Sequence, residues 1–170
     1  KNVCVVGLGT GQTAKRFLMH EIKQLDLVEI EEGLEPLLIR FFNGGWLAED
    51  SVERQNTEIN LITEDGRNYL SHTSAKYDII SIEVGQIFRP GIANFYTHEF
   101  YQQTRERLND GGVISQFVPI EFLGLDEFRS VVRTFVQTYP NAQLWYNTSE
   151  LLLLGINRDV KQAQVFTKES

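Results

Sequence analysis

One cysteine, Cys4, is all the thiol chemistry this sequence contains. It cannot form an internal disulfide, and no second ligand-type residue stands beside it at metal spacing. Set inside an apolar run, it reads as a buried structural thiol. Histidine is nearly as sparse. His20, His72 and His98 are scattered, so no metal site is expected. Positive charge is in deficit too: 16 Lys and Arg face 23 Asp and Glu, for a formal charge of -7. A nucleic-acid partner would need a basic face, so none is expected. No apolar stretch approaches the ~20 residues that span a bilayer. Lys1-Asn2 leads straight into an apolar run, so no signal peptide is expected within it. A chain opening on Lys1 without Met is expected to be a piece of a longer protein. A cytoplasmic location is expected, with membrane attachment only through parts outside this fragment.

What is present is ordinary globular composition arranged in strict alternation. At 170 residues the chain has the length of one domain with a full core. "VCVVG" reads as a buried strand, and Thr10 to about Gln24 as a helix. "LDLVEI" is a second strand, followed by a helix through "EEGLEPLLIRFF" and a polar, turn-rich stretch from Asn43 to Thr57. "EINLIT" is the third strand, "GRNYLSH" a short helix and "YDIISIEV" the fourth strand. "GQIFRPGIAN" is a loop, interrupted by Gly and Pro. "THEFYQQTRERL" has helical spacing with Thr97 as its N-cap. "NDGG" is a turn and "VISQFVPI" a fifth strand. A helix from about Leu125 to Tyr139 precedes "AQLWYN" and "LLLLGI", which are close enough for an antiparallel hairpin through Thr148-Ser149. Strands alternating with helices argue for an α/β fold, a parallel sheet covered on both faces with an antiparallel pair at its end. Trp46 and Trp145 read as packing residues. Residues 1–158 form the domain and 159–170 a polar tail.

The first strand runs into "GLGTG", with Gly7, Gly9 and Gly11 at alternate positions. Such glycines admit positive φ and let backbone N–H groups approach a ligand closely. The spacing fails the dinucleotide fingerprint, because Gln12 stands where its third glycine belongs, and it fails the P-loop as well. Glu29 lies about 20 residues further on, at the end of the second strand, where a carboxylate can accept both hydroxyls of a ribose. Asp65 ends the third strand on the same edge of the sheet and can accept from an adenine amino group. Three such features on one edge point to a nucleoside.

Together "VVGLGTG", "LVEIEEGL", "EDGRNYL", "KYDIISIEV", "FYTHEFYQQTRERLNDGGVISQFVP" and "LWYNTSELLLLG" resemble the spermidine synthases, from Val3 to about Asn157. The resemblance is nearest to the bacterial branch in which the domain is joined to membrane segments. It implies a Rossmann-like three-layer sandwich, shared with the S-adenosylmethionine-dependent methyltransferases: a mostly parallel seven-stranded sheet with the last strand antiparallel. It implies transfer of an aminopropyl group from decarboxylated S-adenosylmethionine to putrescine or a similar small amine, and a homodimer. The loop from Gly7 through Leu8, Gly9, Thr10 and Gly11 to Gln12 would hold the methionine-derived part of the donor. Glu29 with Ile30 would bind the ribose, and Asp65 with Gly66 the adenine. A small N-terminal β-hairpin domain precedes the first strand in the family and is not in this sequence.

Displacement at a carbon beside a sulfonium needs a neutral amine, and hence a carboxylate as base. The family places one aspartate in its glycine loop and two after the fourth strand. Here Thr10 replaces the first, while Glu83 stands at the second position and Gln86 near the third. Glu83 is therefore the expected general base and a donor contact. Arg89 in the same loop would repel an amine if it pointed inward. Gln86, Tyr96 and Gln116 are the expected borders of an acceptor pocket. Two other functions fit the same residues: an S-adenosylmethionine-dependent methyltransferase, and a nucleoside-binding module without catalysis.

Overall fold

The computed structural model describes residues 1–54, 56–85, 89–146 and 150–158. Seven strands form one sheet: β1 (Asn2–Val6), β2 (Gln24–Glu29), β3 (Glu58–Thr63), β4 (Tyr77–Ile82), β5 (Leu108–Val118), β6 (Gln143–Tyr146) and β7 (Leu151–Ile156). Their spatial order is β3-β2-β1-β4-β5-β7-β6. The first five pair in parallel, and β7 runs antiparallel to both β5 and β6. This is the expected mostly parallel α/β sandwich with one reversed strand. Strand order changes direction at β1, between β2 and β4, which opens a crevice at the carboxyl ends of those strands.

Helices α1 (Gln12–Phe17), α2 (Leu34–Phe41), α3 (Gly66–His72), α4 (His98–Arg107) and α5 (Leu125–Thr138) cover the two faces. The alternation of β1 shows how one strand serves both. Val3 and Val5 enter a core shared with α1, α2 and Trp46, while Cys4 and Val6 enter the opposite core with α3, α4 and α5. On α5 the buried positions Val131, Phe135 and Thr138 follow helical spacing. One buried acid interrupts the apolar pattern. Asp26 is satisfied by four donors, the hydroxyls of Tyr77 (2.6 Å) and Tyr69 (3.1 Å) and the amides of Asn60 and Gln24 (both 2.9 Å). Cys4 is buried, and burial followed by the charge of Asp26 pushes its thiol pKa well up.

Several boundaries differ from the expected ones. The first helix is only six residues long. Gly11 sits at its start with φ of 73°, outside helical conformation, and beyond Phe17 the chain closes with i→i+3 bonds, as from Met19 N–H to the Arg16 carbonyl. The expected turn at "NDGG" is absorbed into β5, where the register with β4 shifts between Tyr77 and Ile79. Positive φ at Gly111 marks the irregularity, and Asn157 fastens it by accepting the Gly111 N–H through its carbonyl. Thr97 does cap α4, its hydroxyl accepting the N–H of Phe100. Ile92–Tyr96, partly expected as loop, forms a 3₁₀ helix. Trp46 is buried as expected, but Trp145 is 60% exposed. It lies on β6, the edge strand, all four of whose residues are exposed. The expected hairpin pairing of β6 with β7 is present. Its turn at Thr148-Ser149, and the polar tail beyond Arg158, lie outside the described residues.

Candidate functional site

A cleft of about 470 Å³ opens at the carboxyl ends of β1, β2, β3 and β4. That volume suits a nucleoside-sized ligand. Its floor is the turn after β1. Gly7, Gly9 and Gly11 all have positive φ, the conformation the alternate glycines predict. Gly9 faces open space, whereas a Cβ on Gly11 would come within 2.9 Å of the Trp46 ring. One glycine thus leaves the cleft bare and the other lets the turn pack down onto the core. Gly7 and Gly9 line the cleft. Leu8 is buried, with its side chain in the core. Thr10 and Gln12 are exposed and, like Gly11, do not line it.

Glu29 stands on the wall formed by β2. Its carboxylate accepts the N–H of Leu8 at 2.9 Å through Oε2 and the N–H of Glu31 at 3.0 Å through Oε1. The acid at the end of one strand is thereby tied to the glycine turn at the end of its neighbour. Each oxygen keeps a second lone pair, so the group can still accept from a diol. Ile30, 70% exposed, adds an apolar rim.

Asp65 and Gly66 close the far end. Asp65 is first a helix cap, its Oδ1 accepting from the N–H groups of Arg67 (2.9 Å) and Asn68 (3.1 Å). Its other oxygen is 3.4 Å from the Arg67 guanidinium. Gly66 is needed for packing. A Cβ there would fall 2.2 Å from Cγ1 of Val6, so glycine lets α3 start hard against β1.

Glu83 follows β4 and lines the cleft opposite Glu29. Its carboxylate is fixed by two hydroxyls, Ser81 at 2.6 Å and Thr13 at 3.2 Å. Thr13 belongs to the first turn of α1, so the acid bridges β4 and the helix that follows the glycine turn. Neither hydroxyl was singled out by the sequence, because nothing in local spacing connects position 13 with position 83. The wall continues through Val84, Gly85, Arg89, Ile92 and Phe95.

Tyr96 and Gln116 do not line the cleft. Tyr96 is buried behind it and donates to the carbonyl oxygens of Val84 (3.0 Å) and Phe117 (3.1 Å). Burial raises its phenol pKa. Gln116 is fully buried, with its amide nitrogen donating to Phe117 and its Oε1 without a partner. Gln86 lies outside the described residues. Among the described residues, no three of His, Cys, Asp and Glu gather as a metal would require. No helix among them is long and apolar enough to cross a membrane.

Comparison with known proteins agrees with this layout. The spermidine synthase in complex with the transition-state analogue AdoDATO superposes with a TM-score of 0.78 at 18% identity, over 99% of this chain and 61% of that one. Human methyltransferase-like protein 13 in complex with SAH gives 0.75, also at 18% identity, over 96% and 75%. At such identities these matches show the shared fold alone. Among curated sequences, the polyamine aminopropyltransferase of Methanocaldococcus jannaschii is 28% identical over 134 residues, 78% of this chain and 44% of its own length. That of Thermoplasma acidophilum is 29% identical over 154 residues, 83% of this chain and 54% of its own length. The chain thus spans about half the length of the curated relatives it matches. The model of the spermine/spermidine synthase domain matches residues 1–162, nearly the whole chain, and on that match the chain belongs to the spermine/spermidine synthase family.

Proposed function

We propose that the cleft binds the adenosyl part of decarboxylated S-adenosylmethionine and that the protein transfers its aminopropyl group to a small amine such as putrescine. The observation that carries this reading is the convergence of Glu29, the open glycine turn and Glu83 on one nucleoside-sized cleft. Relatives named polyamine aminopropyltransferases support the reaction class.

The chain's own residues supply binding, orientation and proton transfer. Glu29 accepts the ribose hydroxyls beside the Leu8 N–H it already holds. The bare backbone at Gly9 allows the sulfur-bearing part to lie against the turn. Glu83, held by Ser81 and Thr13, accepts a proton from the amine and keeps the attacking nitrogen in line. A new N–C bond forms, the C–S bond breaks, and its electron pair stays on sulfur, releasing methylthioadenosine. Asp65, engaged as a cap, retains one oxygen weakly held and can accept from the adenine amino group. Gln86, Tyr96 and Gln116 belong to the acceptor side of this reading, the latter two as a second layer behind Val84.

Mass spectrometry of products tests the proposal. Incubated with decarboxylated S-adenosylmethionine and putrescine, the protein is expected to yield spermidine and equimolar methylthioadenosine. A methylated product from S-adenosylmethionine would identify a methyltransferase instead. Binding of methylthioadenosine without turnover of any amine in the intact protein would identify a nucleoside-binding module.

A further inference from the structure

The ladder between β4 and β5 ends at Ile82, opposite Gln116. Glu83 and Val84 therefore continue along the cleft wall past the last strand pair on that side. On the other side Glu83 is still tied to β1, its N–H reaching the Val6 carbonyl at 2.8 Å. Beyond the β4–β5 ladder stand the carbonyls of Val84 and Phe117, which cannot bond each other because both only accept. The Tyr96 hydroxyl lies between them, at 3.0 Å from the first and 3.1 Å from the second. One proton shared by two acceptors is a three-centre bond, and it joins the two strand ends past their last pair. Burial raises the phenol's pKa, so the proton stays on the oxygen.

Tyr96 is itself held on a firm base. It ends the 3₁₀ helix Ile92–Tyr96, whose Ile92 and Phe95 line the cleft, and the cap of α4, Thr97, follows it directly. The Phe95 ring meets Phe100 of α4 edge-on, with centres 5.1 Å apart. At the other end of the clamp, Val84 packs on the glycine turn: a Cβ on Gly7 would lie 3.2 Å from Val84 Cγ2 and 3.4 Å from the Glu83 carbonyl carbon. The Phe117 carbonyl also accepts from the Gln116 amide at 3.0 Å. Loss of the phenol hydroxyl would therefore fall on Val84, the residue next to Glu83. We infer that Tyr96 is a positioning residue for the cleft's general base: its hydroxyl fastens Val84 to β5 and so fixes the backbone from which the Glu83 carboxylate projects. This rests on the role of Glu83 proposed above. Ser81 and Thr13 orient that carboxylate through its own oxygens, whereas Tyr96 acts on it through the main chain. A base displaced slightly from the attacking nitrogen loses rate without losing contacts to the donor.

Tyr96→Phe removes the hydroxyl and keeps the ring. In spermidine formation from decarboxylated S-adenosylmethionine and putrescine, it is expected to lower kcat by about tenfold, with KM for the donor unchanged. In a Glu83→Gln background the same change is expected to cost nothing further, because no base is left to misplace. Unchanged kcat in the single variant overturns the inference. So does an equal fold-loss in both backgrounds, which would make the hydroxyl a general support of the fold. If the wild-type protein forms no spermidine, the function proposed above fails, and amide hydrogen exchange decides the clamp alone. The Glu83 N–H should then exchange about tenfold faster in Tyr96→Phe than in wild type, with Ile80 in the middle of β4 unchanged. Equal exchange at Glu83 in the two proteins overturns the clamp as well.

Discussion

The carboxylate of Glu29 accepts the N–H of Leu8 at 2.9 Å, across 21 positions of sequence. The last residue of β2 thus holds the turn after β1 in place, and one side chain couples the β2 wall of the cleft to its floor. Removing it acts twice, on the contact with a ligand and on the turn that shapes the floor.

Glu29→Ala is accordingly expected to weaken methylthioadenosine binding by about 1.5–3 kcal/mol, the range for hydrogen bonds to a charged group. Glu29→Gln, which keeps one acceptor oxygen, should fall between wild type and Ala. Calorimetry checks both, and unchanged affinity in the Ala variant would remove Glu29 from the site.

Glu83 and Thr13 should separate chemistry from binding. Glu83→Gln is expected to lower kcat by about 10²-fold or more, the contribution of a positioned base, with donor affinity nearly intact. Thr13→Val takes away one of the two hydroxyls on that carboxylate, at 3.2 Å. A misplaced base costs less than a missing one, so kcat should fall by about tenfold with KM for the donor unchanged. Thr13→Ser should recover most of the loss. Equal effects of Val and Ser would mean that the hydroxyl does not position Glu83.

Gly66→Ala tests the seat of α3. The added methyl would fall 2.2 Å from Val6 Cγ1, so strand or helix must shift, with an expected destabilisation of about 1–3 kcal/mol. Combining it with Val6→Ala removes the clash. The double variant should be more stable than the sum of the two single changes implies, read from denaturant midpoints as a coupling energy. Simple additivity would show that the clash is relieved elsewhere.

Acid should unfold the protein partly through Asp78. The Asn109 amide, at 2.9 Å, and the Asn2 N–H, at 2.8 Å, hold this carboxyl below its ordinary value. Its pKa in the folded chain is lower than in the unfolded chain. The stabilisation is therefore complete above the unfolded value of about 3.9 and is lost as pH falls through the folded one. The stability difference between wild type and Asp78→Asn should be constant near neutral pH and shrink toward zero in that acid window. A difference independent of pH would mean that the charge plays no part.

Much of the fold and part of the site are legible without coordinates. Hydropathy period decides the elements, and it placed β3, α3, α4 and β7 within a residue of where they lie. Alternate glycines after a buried strand foretell the positive φ found at all three. Glu29 is identifiable because it ends a strand, a position set by local pattern. Where local signals compete, they mislead: the first helix starts only after Gly11 and closes with i→i+3 bonds past Phe17, and Asn-Asp-Gly-Gly is carried within a strand as an irregularity because Leu108 and Val113 on either side of it pair with β4.

Side-chain partnership is decided only by the tertiary structure. Thr13 meets Glu83, Asp65 turns to cap α3, Arg89 lines the cleft and Trp145 faces out of an edge strand, and no periodicity encodes any of these. Each depends on which strands are neighbours. The order β3-β2-β1-β4 emerges from packing two apolar cores against one sheet. The sequence by itself determined the family, the elements and the positive-φ glycine turn, because these rest on residues close together along the chain. The disposition of charge around the cleft was decided by folding, because hydrogen bonds between distant positions form only when strand order brings them within reach.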